Sequence, residues 1–514
     1  MCNNTKAYSS LSYKTINMKL KHLLLVAFLG FSSFLFAQTY TGQVLDSVSK
    51  QPIPYAAIQL ENTSTGVISN EDGNFSLYLE NVDENAQVSI SCMGFSPFTI
   101  SLKDLKAQNG IVYLSEYVNE LDTVVISDEK ITIDSIIARA NRNLKTNYPV
   151  AAKQYKIFHR KTSHMDFKDL NFDIDKASGM RKSKLESANK SLDSLSREIK
   201  SARMVQFTDY MGTYYVQDSD NRKLKVDKAT LLMDKRKDFS LEGVQKKGSE
   251  IILKYLDPKK SYKVKSGWFK VEDSLSLSEE FKDQKDEIEN QTLDMEYLNN
   301  EAFDQLARAQ FKEGSFIRQV INPKYYDFEL LDLTFFMNDL VYIVKFTPRK
   351  SSSKFSGTHY ISSTDYGILR TDYQFAEGKR GQKFNLKLIL GIKYIENLRN
   401  GKVIFSKNAE GTYELKYAYN DAGSYVYLHR PIKFVENSDD RDKVSFDILL
   451  EGNMNEKQEI LVLDAQPLNK GEYDAYKQPK TVKYQQLKSY DPSIWGENNV
   501  LEPVAEMKQF KSLE

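Results

Sequence analysis

From Gln38 to about Ser127 the chain alternates apolar and polar residues in short runs, separated by Gly, Pro and Asx turns. The runs Tyr40–Leu45, Ala56–Glu61, Phe75–Leu79, Gln87–Ser91, Phe98–Leu102, Ile111–Leu114 and Thr123–Ile126 each have strand length. Val88, Ile90 and Cys92 show the period of two that turns one set of side chains toward a core. Seven such runs in about 90 residues predict a two-sheet sandwich. The period then changes. Ile133, Ile136, Ile137, Ala140 and Leu144 fall on one side of a helix over Ile131–Lys145. Asn147-Tyr148-Pro149 ends it, because the residue before proline avoids helical geometry.

Beyond this helix the texture is mixed. Asp173–Arg203 and Lys263–Gln310 are charge-rich and helix-favouring, and neither keeps an apolar heptad, so both read as solvated helices or insertions. From Tyr325 the pattern is β again, with strand candidates at Phe328–Leu330, Tyr342–Phe346, Thr358–Ile361, Leu369–Phe375, Phe384–Tyr394 and Gly411–Tyr419. Gly378, Gly391, Gly401 and Gly423 mark turns or bends between or within them. The fold class expected is mainly β. A seven-stranded Ig- or transthyretin-like sandwich (38–127) leads through a helical linker (128–149) into a larger antiparallel β domain. That domain (150–480), which could form a half-barrel, carries helical insertions near 173–203 and 263–310, and 481–514 form a tail.

The first 37 residues carry a different signal. Lys19 and Lys21 precede an apolar run from Leu23 to Phe36, and Ala37 precedes Gln38 as a small residue at a cleavage point. These are the parts of a secretory leader, and the run is shorter than the ~20 residues that span a bilayer. Met1–Asn17 lack a charge pattern of their own, which fits initiation at Met18. No later stretch is apolar enough for a membrane helix, so none is expected after cleavage. Without the leader lysines Lys6, Lys14, Lys19 and Lys21, the balance of 71 Lys+Arg against 70 Asp+Glu becomes slightly negative. No basic field is left to draw nucleic acid or anionic lipid to the surface as a whole. Cys92 is the only cysteine after the leader; it cannot form an internal disulfide and reads as a buried strand position.

Several residues of the first domain carry a resemblance. Gly42-Gln43-Val44 with Asp46, Pro52-Ile53-Pro54-Tyr55-Ala56, Thr65-Gly66, Asp72-Gly73-Asn74-Phe75, Gly94-Phe95 and Ile111-Val112-Tyr113-Leu114 occur in order. This succession resembles the carboxypeptidase regulatory-like domain that opens many exported Bacteroidetes proteins, a transthyretin-like module that carries no catalytic residue. The run IIARANRNLKTNYP followed by Tyr155–Arg160 resembles a second Bacteroidetes family of unknown function, in which a strand ends in a Tyr-Arg-Glu-like triplet. Here His159 and Lys161 stand where that family often has Tyr and Glu. Larger members end in an outer-membrane barrel, which is not expected within these residues. The strands from Tyr342 to Ile368 resemble the curved half-barrel of periplasmic lipoprotein carriers and sensors, and Trp495–Asn499 with Pro503 resembles the ends of such proteins.

The chemistry expected is sparse. A zinc peptidase needs a His with a carboxylate at fixed spacing, yet no His-Glu-x-x-His surrounds His159, His164, His359 or His429. His159 and His164 are five apart and point to opposite faces of a strand. No Gly-x-Ser-x-Gly elbow occurs, the Ser187–Lys190 and Ser351–Lys354 matches to Ser-x-x-Lys are those chance supplies, and Gly378–Gly381 lacks phosphate-loop spacing. Asn70–Asn74 reads as a β-turn rather than a calcium loop, for want of a later bidentate Glu. No catalytic residue, cofactor or metal is therefore expected. With 31 Tyr and 28 Phe, an apolar cavity is the remaining candidate, lined by Tyr342, Val344, Phe346, Leu386, Leu388 and Leu390 through the i, i+2 rule. The reading is a non-enzymatic exported protein, periplasmic or associated with the outer membrane, binding a lipid, a glycan or an envelope protein. The alternatives are an adhesion or assembly scaffold that uses the sandwich for protein contact, and an enzyme whose acid pair is not recognisable.

Overall fold

The computed structural model describes residues 37–63, 65–117, 131–178, 180–201, 204–233, 256, 260–266, 269–276, 291–336, 339–408, 410–496 and 498–512. The leader, the strand expected at Thr123–Ile126 and part of the 263–310 insertion, including Trp268, lie outside these residues.

Seven strands build the N-terminal sandwich: β1 (Ala37–Asp46), β2 (Ala57–Leu60), β3 (Gly66–Ile68), β4 (Asn74–Glu80), β5 (Gln87–Ser91), β6 (Phe98–Ser101) and β7 (Ile111–Leu114). One sheet has the order β4-β1-β7 and the other β3-β2-β5-β6. Six of the seven strands coincide with the alternating runs of the sequence. The seventh is β3, too short to show a period. Val44, Ile58, Phe75, Leu77, Val88, Ile90 and Val112 interleave between the sheets, each at most 2% exposed. Cys92 is buried just past β5. Asn70–Asn74 is a turn: the Asn70 side-chain oxygen accepts from the Asp72 and Asn74 amides, both at 2.9 Å, and Gly73 supplies the positive φ of 72°.

Helix α1 (Leu102–Ala107) closes the sandwich, and α2 (Ile133–Asn147) follows it. Thr132 caps α2 through its side chain, while Ile136, Ile137, Ala140 and Leu144 are buried on one side. The large sheet then begins with β8 (Lys153–Ala177), helix α3 (Lys182–Ser201), β9 (Met204–Val216) and β10 (Arg222–Leu232). Next come β11 (Ser261–Ser266), β12 (Phe269–Ser276), β13 (Thr292–Asp294) and α4 (Met295–Ala309), which is capped by Asp294. Strands β14 (Tyr326–Phe336), β15 (Asp339–Pro348), β16 (Phe355–Ser362), β17 (Ile368–Phe375), β18 (Lys383–Leu386), β19 (Ile392–Lys407), β20 (Tyr413–Glu436) and β21 (Lys443–Pro467) follow. Short β22 (Thr481–Lys483) and β23 (Gln485–Leu487) lead to the C-terminal segment.

The central path is β14-β15-β16-β17-β19-β20-β21-β8-β9-β10-β23, with β18 on β19 and β11 on β20; it does not close into a barrel. Strands β8, β20 and β21 are far longer than the sequence pattern suggests. Residues 173–177, expected as the start of a polar helix, belong to β8, because Asp173 and Asp175 alternate with Ile174 on a strand with one polar face. The helix starts only at Lys182.

Register separates the sheet's two faces. On β20 and β21, Tyr417 pairs with Leu461 and the pairing continues without a shift to Val435 and Lys443. From Tyr417 onward, even-numbered residues of β20 therefore share one face, here called inner. In the half nearest the sandwich, inner residues Ala418 and Ile460 pack with Val403, Ile136, Ile137, Leu298, Ala302 and Leu306, so α2 and α4 cover this face. The outer face there carries Tyr417 and Leu461, covered by Trp495, Leu501 and Met507 of the C-terminal segment and by Tyr55 of the sandwich. Tyr55 lies 5.6 Å from the ring of Tyr417 and 5.4 Å from that of Tyr419. Around it, Lys457 pairs with Glu71 at 2.8 Å, and the Asn70 amide donates to the Pro503 carbonyl at 2.9 Å. Deeper in, Arg160 makes a two-pronged ion pair with Asp209, closest approach 2.7 Å, and donates to the Leu501 and Glu502 carbonyls.

Candidate functional site

The far half of the same sheet is built differently. Here β18, β19, β20 and β21 extend past the reach of α4, and α3 packs only over β8, the start of β21 and the end of β20. Register places Phe384 beside Tyr394 and Leu386 beside Ile392. Tyr394 in turn lies beside Val426, and Ile392 beside Leu428. These six residues share the inner face, and none joins a buried cluster. Phe384 is 48% and Leu386 40% exposed; the other four are partly buried. Leu450 and Ile448 continue the apolar surface toward α3.

The outer face of this half is mixed, with Ile395, Leu398 and Leu449 set among aromatic and charged residues. Lys387 lies 3.8 Å over the Tyr427 ring, Lys393 sits over Tyr425 at 5.1 Å, and the Tyr425 hydroxyl donates to Glu451 at 2.9 Å. His429 reaches Asp447 at 3.1 Å. An apolar sheet face is ordinarily packed against other elements. No described helix covers this one.

The open patch ends toward α4 in a polar edge. Glu396 and Arg399, on the inner face of β19, form an ion pair at 2.6 Å. The Gln382 amide donates to the other Glu396 oxygen at 2.9 Å. Arg308 of α4 and Tyr373 of β17 stand beside them. Burial lowers Arg308 from the usual guanidinium range, opposed by Tyr373, and Arg399 lowers it further. Burial raises the Tyr373 phenol to about 12. Its hydroxyl donates to Asn420 at 3.3 Å, and Gly401 opposite leaves the room, since a Cβ there would lie 2.3 Å from that oxygen.

The six residues expected to line one cavity separate into two groups. Tyr342, Val344 and Phe346 do share a strand face, but it belongs to the close-packed core under the helices, with Val344 and Phe346 0% exposed. Leu386 sits on the open face, whereas Leu388 is fully exposed and Leu390 partly so, because Lys387–Leu390 form one helical turn instead of continuing the strand. Gly391, at φ 67°, reverses the chain into β19. The i, i+2 rule therefore fails after Leu386. Sequence reasoning missed Ile392, Tyr394, Val426, Leu428, Arg308 and Arg399. The signal for the first four was present as alternation in Ile392-Lys-Tyr394 and Val426-Tyr-Leu428.

His159 is wholly buried on the inner face and stacks on Tyr210 at 4.8 Å; burial, then Lys161, lower it to about 3. His164, on the opposite face, contacts Glu506 at 2.9 Å. Buried His359 meets Thr371 at 2.8 Å. Lys161, in the third position of the triplet, pairs with Glu301 of α4 at 2.9 Å. Among the described residues, no group of three or more His, Cys, Asp or Glu could hold a metal ion, and no helix is long and apolar enough to cross a membrane.

Comparison with known proteins places the first domain. Residues 40–126 match the family model of the CarboxypepD_reg-like domain, so the chain carries this module ahead of a second, mainly β region. No curated protein matches the chain. Among solved structures, a LolA superfamily protein from Nitrosomonas europaea is 10% identical, covering 62% of this chain and 92% of that one, with a TM-score of 0.19. A chain of the MucA/MucB complex of Pseudomonas aeruginosa is 7% identical over 62% of this chain and 93% of that one, with a TM-score of 0.14. At such scores neither likeness carries an argument.

Proposed function

We propose that this chain is a non-catalytic, exported cell-envelope protein that binds an apolar ligand on the open inner face of its large sheet. One observation carries the reading: Phe384, Leu386, Ile392, Tyr394, Val426 and Leu428 lie together on the inner face of the sheet and join no buried cluster among the described residues. Removing such a surface from water is worth about 25 cal/mol per Å² of apolar area. Nothing else among the described residues supplies that burial. The leader motif supports export, and the CarboxypepD_reg-like module supports a non-catalytic role for the first domain. The sandwich and the C-terminal segment then brace the outer face, leaving the inner face for the ligand.

Native mass spectrometry of the purified protein tests this. A bound apolar species, lost in Leu428→Asp while the fold is kept, is the expected result. A protein that emerges empty, as a monomer or a defined oligomer, contradicts ligand binding and favours a scaffold that works through protein contacts.

A further inference from the structure

The hairpin of β18 and β19 ends in a tip built for contact with something outside the chain. Its helical turn, Lys387–Leu390, carries Leu388 and Ile389 side by side, 101% and 78% exposed. Leu386 and Phe384, also exposed, follow on β18. The turn is held in place. The Gly391 amide donates to the Lys387 carbonyl at 3.1 Å, and the His429 amide donates to the Gly391 carbonyl at 2.8 Å. Only glycine fits at 391, since a Cβ there would lie 2.0 Å from the His429 carbonyl oxygen. Single exposed apolar side chains are ordinary on a protein surface, whereas a contiguous run fixed at a tip marks an interaction site.

The charge on this hairpin and on the strand beside it is of one sign. Residues 382–395 carry Lys383, Lys387 and Lys393, and residues 422–435 of β20 carry Arg430 and Lys433, with no Asp or Glu in either stretch. Arg430 lies beside Gly391 at the turn itself. The acids nearest in register are Glu451 and Asp447 of β21, which meet Tyr425 and His429. Lys168 of β8 reaches the same Tyr425 ring, at 5.5 Å. Cations therefore outnumber acids here, although the chain as a whole is close to neutral.

We propose that this tip docks on a lipid bilayer with anionic headgroups. Leu388 and Ile389 enter the boundary between headgroups and acyl chains, and Lys383, Lys387, Lys393 and Arg430 meet the phosphates around them. Long basic side chains lay their stems along apolar surface and keep the charge in water, which suits a shallow position. An apolar point ringed by cations complements a bilayer, which is apolar within and anionic at its rim. This docking goes beyond the apolar-binding reading above and does not depend on it.

The test is sedimentation of the purified protein with vesicles of phosphatidylcholine, alone or mixed with phosphatidylglycerol. Binding is expected to the mixed vesicles, weaker to the neutral ones and falling as salt is raised. The double change Leu388→Ser, Ile389→Ser should weaken binding to mixed vesicles at least about tenfold with the melting temperature unchanged. Lys387→Gln should weaken it about fivefold at low salt and less at high salt. No binding to mixed vesicles, equal binding to neutral ones, or binding that survives the double change overturns the proposal. Self-association abolished by the double change, without vesicle binding, would also overturn it and assign the tip to a second copy of the chain. Nile red binding, measured alongside, reports the open face separately: its presence without vesicle binding overturns only the docking, and its absence only the apolar reading.

Discussion

The two halves of the large sheet share strands and register but not surroundings. Near the sandwich, the inner face carries Ala418, Val403 and Ile460 beneath α2 and α4, each of them at most 2% exposed. Farther along the same strands, Ile392, Tyr394, Val426 and Leu428 point the same way and have no described helix above them. Alternation alone thus separates polar from apolar sides; it does not say whether an apolar side is packed. What covers it is decided by elements distant in sequence, α4 in one half and α3 over part of the other. On the proposed reading, the covered half is structure and the open half the binding surface.

That contrast can be broken from either side. The largest effect belongs to the covered half. Phe346→Ala should cost about 3–5 kcal/mol, the range for truncating a buried aromatic, measured by denaturant unfolding. Val344→Arg, which a ligand cavity would tolerate, should prevent folding outright, seen as loss of soluble protein. A cost below about 1 kcal/mol for Phe346→Ala would mean that this face is not a closed core.

Acid probes the same half more gently. Burial holds His159 at about 3 in the folded protein, against an unfolded value near 6.5. Between these values the unfolded chain binds the proton and the folded one does not, so stability falls as pH drops from about 6.5 toward 3. The loss by pH 5 should be about 2 kcal/mol, and His159→Phe should remove it. Parallel pH profiles for both proteins would contradict the assignment.

The open half should respond in the opposite manner. Leu428→Asp should change unfolding free energy by about 1 kcal/mol or less, because the site is already partly hydrated. Smallest of all, Leu388→Ser on the exposed turn should stay within about 0.5 kcal/mol in the same assay. A large drop for Leu428→Asp would mean that the patch is covered.

How much of this was legible in the sequence follows the same division. The sandwich was readable because each strand is short, alternates and ends in a turn residue with a definite backbone role, as at Gly73. Helix α2 was readable from Ile136, Ile137, Ala140 and Leu144, and its end from Pro149. The long strands β8, β20 and β21 were not, since polar residues such as Lys457, Glu459 and Asp447 interrupt the apolar signal along them, and β8 hid its last residues inside a charged stretch. The expected cavity lining was half misplaced for a local reason, the single helical turn Lys387–Leu390, and half for a global one, the helices over Val344 and Phe346. Arg308 was invisible as a site residue because its place beside Tyr373 and Arg399 exists only once α4 lies across the sheet.

Titration of Nile red, a neutral apolar dye, into the unaltered protein and into Leu428→Asp tests the central claim most directly when the melting temperature of each is recorded alongside. The account predicts saturable binding weakened at least about tenfold by the substitution, with melting temperatures within a few degrees of each other. Binding unchanged by Leu428→Asp, or lost only together with the fold, would contradict it.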